Sequence, residues 1–370
     1  MLVSGGGRKK GHMSQCCHID FQNTTRVLML DKLPPELCAR IFQFACTDSG
    51  YTGRSLSLVS RYIHETSQPA KLQSIALVGR KQILDFAVLL SRTPAHLRTT
   101  RYLFVNGQET KTEWKQLMDE AYGGPEKAAE YRRKCAILLP PDEVRRMQAL
   151  QSEIMQEEDK ANRFLDRFGA EGARAVESIL RGVGPTLELL DVALNEHVAM
   201  RMSSTLSLPR LLDLTTRCSF PLEPMGGTLL LAPCPSLHRL HIVEVTTQRP
   251  WTTSFFKNGI SQFAPALTHL RLSGLRNGIS ALIELPATLQ QVVIKPGVPP
   301  ASNARYMVVA AYRQLLHQAR ELRDLAPDVV VLRRADDHFP TQDVYYREWV
   351  EKAAGGPSDW DVSDLDEVEA

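Results

Sequence analysis

The stretch Pro185-Thr186-Leu187-Glu188-Leu189-Leu190-Asp191-Val192-Ala193-Leu194-Asn195 sets the pattern on which the fold turns. A proline leads to Leu187, and apolar residues follow at Leu190 and Val192. The same order returns in Pro209-Arg210-Leu211 with Leu214, in Pro235-Ser236-Leu237 with Leu240 and Ile242, in Pro265-Ala266-Leu267 with Leu270 and Leu272, and in Pro286 followed by Leu289, Val292 and Ile294. The leading leucines lie 24, 26, 30 and 22 residues apart.

Self-similarity at about 20–29 residues is the period of leucine-rich repeats, and these spacings bracket it with some insertion. In such a unit the L-x-x-L-x-L stretch forms one short strand, whose alternate apolar side chains are covered by the next unit. Asn195 stands where the repeat wants a side chain to hydrogen-bond the turn backbone. The other units are degenerate: Thr216 occupies an apolar position, Cys218 falls one place early, and the third to fifth units lack the asparagine. The competing reading is a set of unrelated buried strands in an α/β domain. After the fifth unit the spacing of Val308, Ala311, Leu315, Ala319 and Leu322 predicts a helix over 306–326, and Val329 to Leu332 a strand that caps the open end. The expectation is an α/β chain whose residues 184–335 form a degenerate leucine-rich-repeat-like solenoid.

Upstream, residues 72–183 read as linking strands and amphipathic helices. Ile75, Leu77 and Val78, then Tyr102 to Val105, are strand-like around a short helix carrying Ile83, Phe86, Val88 and Leu89. From Thr112 to Val183 the residues Val144, Met147, Ile154, Ala161, Leu165 and Phe168 recur at helical intervals among many charges and predict a core-facing stripe. Glu157 and Glu158 interrupt that stripe and read as a solvated face. The ends carry no such periodicity: residues 1–26 are an arm rich in small and polar residues, and 354–370 an acidic tail.

The 370 residues, 43% of them hydrophobic, can bury a large core. A formal net charge of +2 provides no field that would draw the chain to nucleic acid or anionic lipid. No apolar run has the length of a secretion signal or membrane span, and seven irregularly spaced cysteines read as reduced thiols. An intracellular location, cytoplasmic or nuclear or both, is expected.

Residues 31–68 form a compact helical module. Leu33-Pro34-Pro35-Glu36-Leu37 opens it, with proline suited to the first helical position and Glu36 favourable to the helix dipole. Leu37, Ile41 and Phe44 share one face. Thr47-Asp48-Ser49-Gly50 with Gly53 breaks the helix, and Ser55 is placed to cap a second one carrying Leu56, Val59 and Ile63 on a stripe. Two helices this short bury little, so their apolar surface must pack on the rest of the chain or on a partner.

These residues resemble the F-box family: Leu33-Pro34-x-Glu36-Leu37, then Ile41-Phe42, then Leu56-x-x-Val59-Ser60-Arg61-Tyr62-Ile63, which is similar to the family's third helix. The match covers about one tenth of the chain, and its Thr47-Asp48 and Leu56 to Arg61 segments look like F-box proteins of mushroom-forming fungi, in which leucine-rich segments often follow. The resemblance implies a substrate receptor that docks on a Skp-type adaptor, and through it a cullin scaffold, while the C-terminal region selects an unknown protein substrate. It implies adaptor contacts at Leu33, Pro34, Glu36, Leu37, Ile41, Leu56, Val59, Ser60 and Ile63. The tryptophan that many F-boxes carry near Ile63 is missing here.

Catalytic and metal motifs fail on inspection. Gly6 to Gly11 has phosphate-loop spacing, but His12 and Met13 replace the lysine and hydroxyl residue, and Cys16-Cys17-His18 lacks a second ligand pair. His64-Glu65 has no second histidine, and Asp336-Asp337-His338 reads as a polar loop. No enzyme, cofactor or metal is expected. The rivals to a ligase receptor are a leucine-rich-repeat scaffold without ligase function, and an enzyme whose site is scattered along the sequence.

Overall fold

A computed structural model describes residues 32–137, 143–217, 231–243, 259–275, 286–325, 329–332, 342–356 and 360. The N-terminal arm, Cys16-Cys17-His18, Cys218, Asp336-Asp337-His338 and most of the acidic tail lie outside them.

Eight parallel strands form one sheet in sequence order: β1 (Ser74–Val78), β2 (Tyr102–Gly107), β3 (Leu189–Leu194), β4 (Asp213–Arg217), β5 (Arg239–Val243), β6 (His269–Leu275), β7 (Gln291–Pro296) and β8 (Val329–Val331). Register follows the apolar pattern. Ile75, Leu103, Leu190, Leu214, Leu240, Leu270, Val292 and Val329 stand opposite one another along the sheet, and Leu77, Val105, Val192, Thr216, Ile242, Leu272, Ile294 and Val331 form a second row. Because side chains alternate across a strand, both rows lie on one face, and all of their members but the buried Thr216 belong to a single apolar core.

Each of the five units enters its strand through the same turn. The amides of Leu187, Leu211, Leu237, Leu267 and Leu289 donate to the carbonyls of Gly184, Leu208, Cys234, Ala264 and Pro286. A line of backbone bonds of 2.8–3.0 Å then links Gln73, Arg101, Glu188, Leu212, His238, Thr268 and Gln290, each carbonyl accepting from the next residue's amide. Asn195 behaves as its position suggested: its Oδ1 accepts from the His197 amide at 2.9 Å and caps the short α8 (Glu196–Ala199).

The division expected between a linking segment at 72–183 and a repeat region at 184–335 does not divide the sheet. β1 and β2 are its first two strands, and Leu103 sits beside Leu190 in the same apolar row. What lies between β2 and β3 is a helical insertion of α5 (Lys111–Ala121), α6 (Pro125–Cys135) and the 40-residue α7 (Val144–Val183). The helical stripe of α7 is core only from Ala161 onward, whereas Val144 is exposed, and the first part of the helix meets α6 through polar side chains. There Glu157 and Glu158 are not merely solvated: Lys134 Nζ pairs with Glu157 at 2.9 Å, and the Tyr131 hydroxyl donates to Glu158 at 2.6 Å. Further along, a Cβ on Gly169 would lie 2.3 Å from the His197 carbonyl, so only glycine allows α7 to pass α8 this closely.

Helices α4 (Arg80–Arg92), α7 and α10 (Tyr306–Leu325) cover the apolar face, with α9 (Ile260–Phe263) at its rim. α11 (Gln342–Ala353) lies across the other face, where Trp349 packs on Phe104 and Leu189. Purely parallel sheets need cover on both sides, and this one has it. No helix among the described residues is long and apolar enough to cross a membrane.

The apolar rows carry the stability of the sheet. Leu240→Ala opens a cavity beneath neighbours on both sides and is expected to cost about 2–5 kcal/mol in urea unfolding, whereas Leu212→Ala, at a half-exposed site, stays within about 1 kcal/mol.

Candidate protein-docking surfaces

The N-terminal module consists of three helices, α1 (Pro35–Ala45), α2 (Tyr51–Leu56) and α3 (Arg61–Ser67). Pro35 supplies the first residue of α1 and Glu36 its first-turn acid. After α1 the chain turns on Asp48, whose carboxylate accepts from the amides of Gly50 at 3.0 Å and Thr52 at 2.9 Å and so caps α2. Gly50 has φ +91° and packs against Ile75 at the sheet edge, a conformation and a space that together require glycine. Ser55 lies inside α2 and does not cap it. The cap is Ser60, whose hydroxyl accepts from the Ile63 amide at 3.2 Å and starts α3.

α1 carries two apolar stripes, because its sequence places large side chains around most of the helix. Cys38, Phe42 and Cys46 face inward and form a small core with Ile63 and Ala70, against which Leu33, Leu56 and Tyr62 pack. Leu37, Ile41 and Phe44 face outward and are 51%, 45% and 76% exposed. Leu58 at 86% and Val59 at 53%, in the turn between α2 and α3, are also left uncovered, as is Tyr51.

The expected adaptor contacts therefore divide. Pro34, Glu36, Leu37, Ile41 and Val59 are exposed and reachable. Leu33 and Leu56 are half-buried supports. Ser60 is a helix cap, and Ile63, 2% exposed, is a core residue of the module. The stripe Leu56, Val59, Ile63 expected from the sequence does not stay on one face, since the chain leaves α2 at Leu56 and re-enters a helix only at Arg61. Phe44, Leu58 and Tyr51 are exposed apolar residues of the module that lie outside the expected set. Phe44 was legible from its i+3 spacing to Ile41, while Leu58 and Tyr51 carry no periodic signal.

The second candidate surface lies under α11. The sheet face opposite the apolar rows carries Asp191, Thr215, His241 and Arg271 at neighbouring register positions, with Arg217 and Ser273 one step along. All are buried. Arg217 Nη2 donates to Asp191 Oδ2 at 2.6 Å, and its guanidinium lies 3.6 Å from the Tyr345 ring centre of α11. His241 Nε2 is 2.9 Å from the Ser273 hydroxyl. Burial first, and then the positive charges of Arg271, Lys352, Arg217 and Lys295, hold His241 well below the usual histidine pKa, so it is neutral.

Among the described residues no group of three or more histidine, cysteine, aspartate or glutamate side chains is placed to hold a metal. No family model, curated protein or solved structure matches the chain.

The two stripes of α1 separate in mutants. Phe42→Ala should lower the stability of the module by about 3–5 kcal/mol, read from the loss of amide protection in α1 and α3, while Phe44→Ala should leave that protection unchanged. For His241 the sign is set by the depressed folded pKa: the unfolded chain takes up a proton near pH ~6.5 and the folded chain does not. Stability is thus expected to fall on acidification below about pH 6.5, by up to about 1.4 kcal/mol per pH unit, and His241→Gln should flatten that slope between about pH 7 and about pH 5 in urea titrations.

Proposed function

We propose that this chain is a substrate-recognition subunit of an SCF-type cullin-RING ubiquitin ligase, docking on a Skp-type adaptor through an F-box-like module at 31–68 and choosing a target protein with a leucine-rich-repeat-like solenoid. The observation that carries the proposal is the outer stripe of α1. Leu37, Ile41 and Phe44 remain exposed although the module already has a core of its own. Exposed apolar residues gathered on one small module mark a protein contact, since leaving them in water gains nothing for the fold.

The sheet supports the second half of the proposal. Parallel strands in sequence order, each of the five units entered by the same leucine turn and pinned to its neighbour by the same backbone bond, are what stacked repeats of one supersecondary unit produce. The receptor performs no chemistry in this reading. It holds a target beside the ligase.

Co-expression with a Skp-type adaptor tests the proposal. Each large apolar anchor covered by the adaptor contributes roughly 1.5–3 kcal/mol, so Leu37→Ala combined with Ile41→Ala is expected to weaken adaptor binding at least about a hundredfold without loss of folding. A folded wild-type chain that captures no adaptor overturns the ligase reading and favours a repeat scaffold with other partners.

A further inference from the structure

The two faces of the sheet are covered in different ways. Under α4, α7 and α10 the helices meet rows of leucine, isoleucine and valine. Under α11 they meet Phe104 and Leu189 at one end and charged residues at the other. Taking a charge out of water costs several kcal/mol, and an ion pair recovers this only with good geometry, so an apolar face would serve a purely structural cover at least as well. The chain nevertheless buries Arg217 and Asp191, 3% and 2% exposed, with Tyr345 and Glu348 of α11 beside the guanidinium.

α11 packs Trp349 on Phe104 and Leu189 at one end of this face and meets the charged end through polar and aromatic side chains. Tyr345 stacks on the Arg217 guanidinium, Glu348 lies 3.8 Å from the same group, and Lys352 Nζ reaches the Thr215 hydroxyl at 3.4 Å. Beyond the helix, Trp360 sets its ring edge-on to His241 and His269, and its backbone carbonyl accepts from Gln291 at 3.4 Å. The fit is incomplete. The indole N–H groups of Trp349 and Trp360, and Nε and Nη1 of Arg217, are buried with no acceptor among the described residues, a cost that another occupant could remove.

We propose that α11 is a displaceable cover on this face, and that the face takes in its place a segment of another protein presenting an aromatic ring and a carboxylate one helical turn apart, as Tyr345 and Glu348 do. Charge complementarity selects the occupant: Arg217 offers a flat cation for a ring and a hydrogen-bond fork for an acid. The apparent affinity of a covered site for an outside ligand is reduced to the fraction of time the cover is open, so α11 sets the threshold for target capture. The proposal rests on reading the sheet as the target-selecting part of the chain, and it is independent of adaptor docking by α1.

The test uses the full chain and a fluorescent synthetic peptide spanning residues 342–360. Tyr345→Ala combined with Glu348→Ala loosens the cover, and this variant is expected to bind the peptide at least about tenfold more tightly than wild type, because wild type holds its own copy in place. Adding Arg217→Ala should abolish that gain. Hydrogen exchange should quicken in α11 and stay unchanged in β4 to β6. Equal or absent peptide binding in wild type and the loosened variant overturns the proposal, and so does loss of protection throughout the sheet, which would make α11 part of the core. Adaptor capture, measured on the same samples, reports on the α1 surface alone, so its failure counts against the ligase reading and not against the cover.

Discussion

The constraint on which the molecule depends is that no single strand can bury its own apolar side chains. Leu190 is covered because Leu103 and Leu214 stand beside it in register, and Leu240 because Leu214 and Leu270 do. Slipping one strand by one residue would turn its leucines to the charged face and bring Asp191 or His241 into the core. The backbone bonds running from Gln73 to Gln290 hold each unit against such a slip before its strand begins. Register, burial and the separation of an apolar from a polar face are consequences of one repeated turn.

The N-terminal module meets the opposite condition, an excess of apolar surface over what its own packing can cover. α1 is too short to be wrapped on both stripes by α2 and α3, so one stripe builds the core and the other is left in water. The division follows from geometry: Cys38, Phe42 and Cys46 recur every four residues toward α3, and Leu37, Ile41 and Phe44 recur one residue earlier or two later, on the neighbouring flank. The same helix thus anchors the module and presents a contact surface.

The sheet's polar face shows how the fold tolerates buried charge. Arg217 is held by the Asp191 carboxylate within the sheet and by the Tyr345 ring from above, and His241 stays neutral among the surrounding cations. These groups are spread over β3 to β6, and strand pairing alone brings them together. Their cover comes from later in the chain, with Tyr345 and Glu348 of α11 beside Arg217 and Trp360 beside His241.

Much of the architecture was legible because it is written in short-range signals. The proline-to-leucine turn, the alternation that follows it and the asparagine at 195 each act within a few residues, so the five strands and the role of Asn195 could be read from the sequence, as could the helices around α1 and α10. Other features depend on residues far apart in the chain. That β1 and β2 belong to the same sheet follows from the pairing of Leu103 with Leu190 across a long helical insertion. That Phe42 is core while Leu37 is surface follows from which of the two apolar stripes of α1 meets α3. That Arg217 lies against Tyr345 and His241 against Trp360 follows from where α11 and Trp360 dock. In all three the side chains are chemically eligible for either environment, and only the packing of distant segments chooses between them.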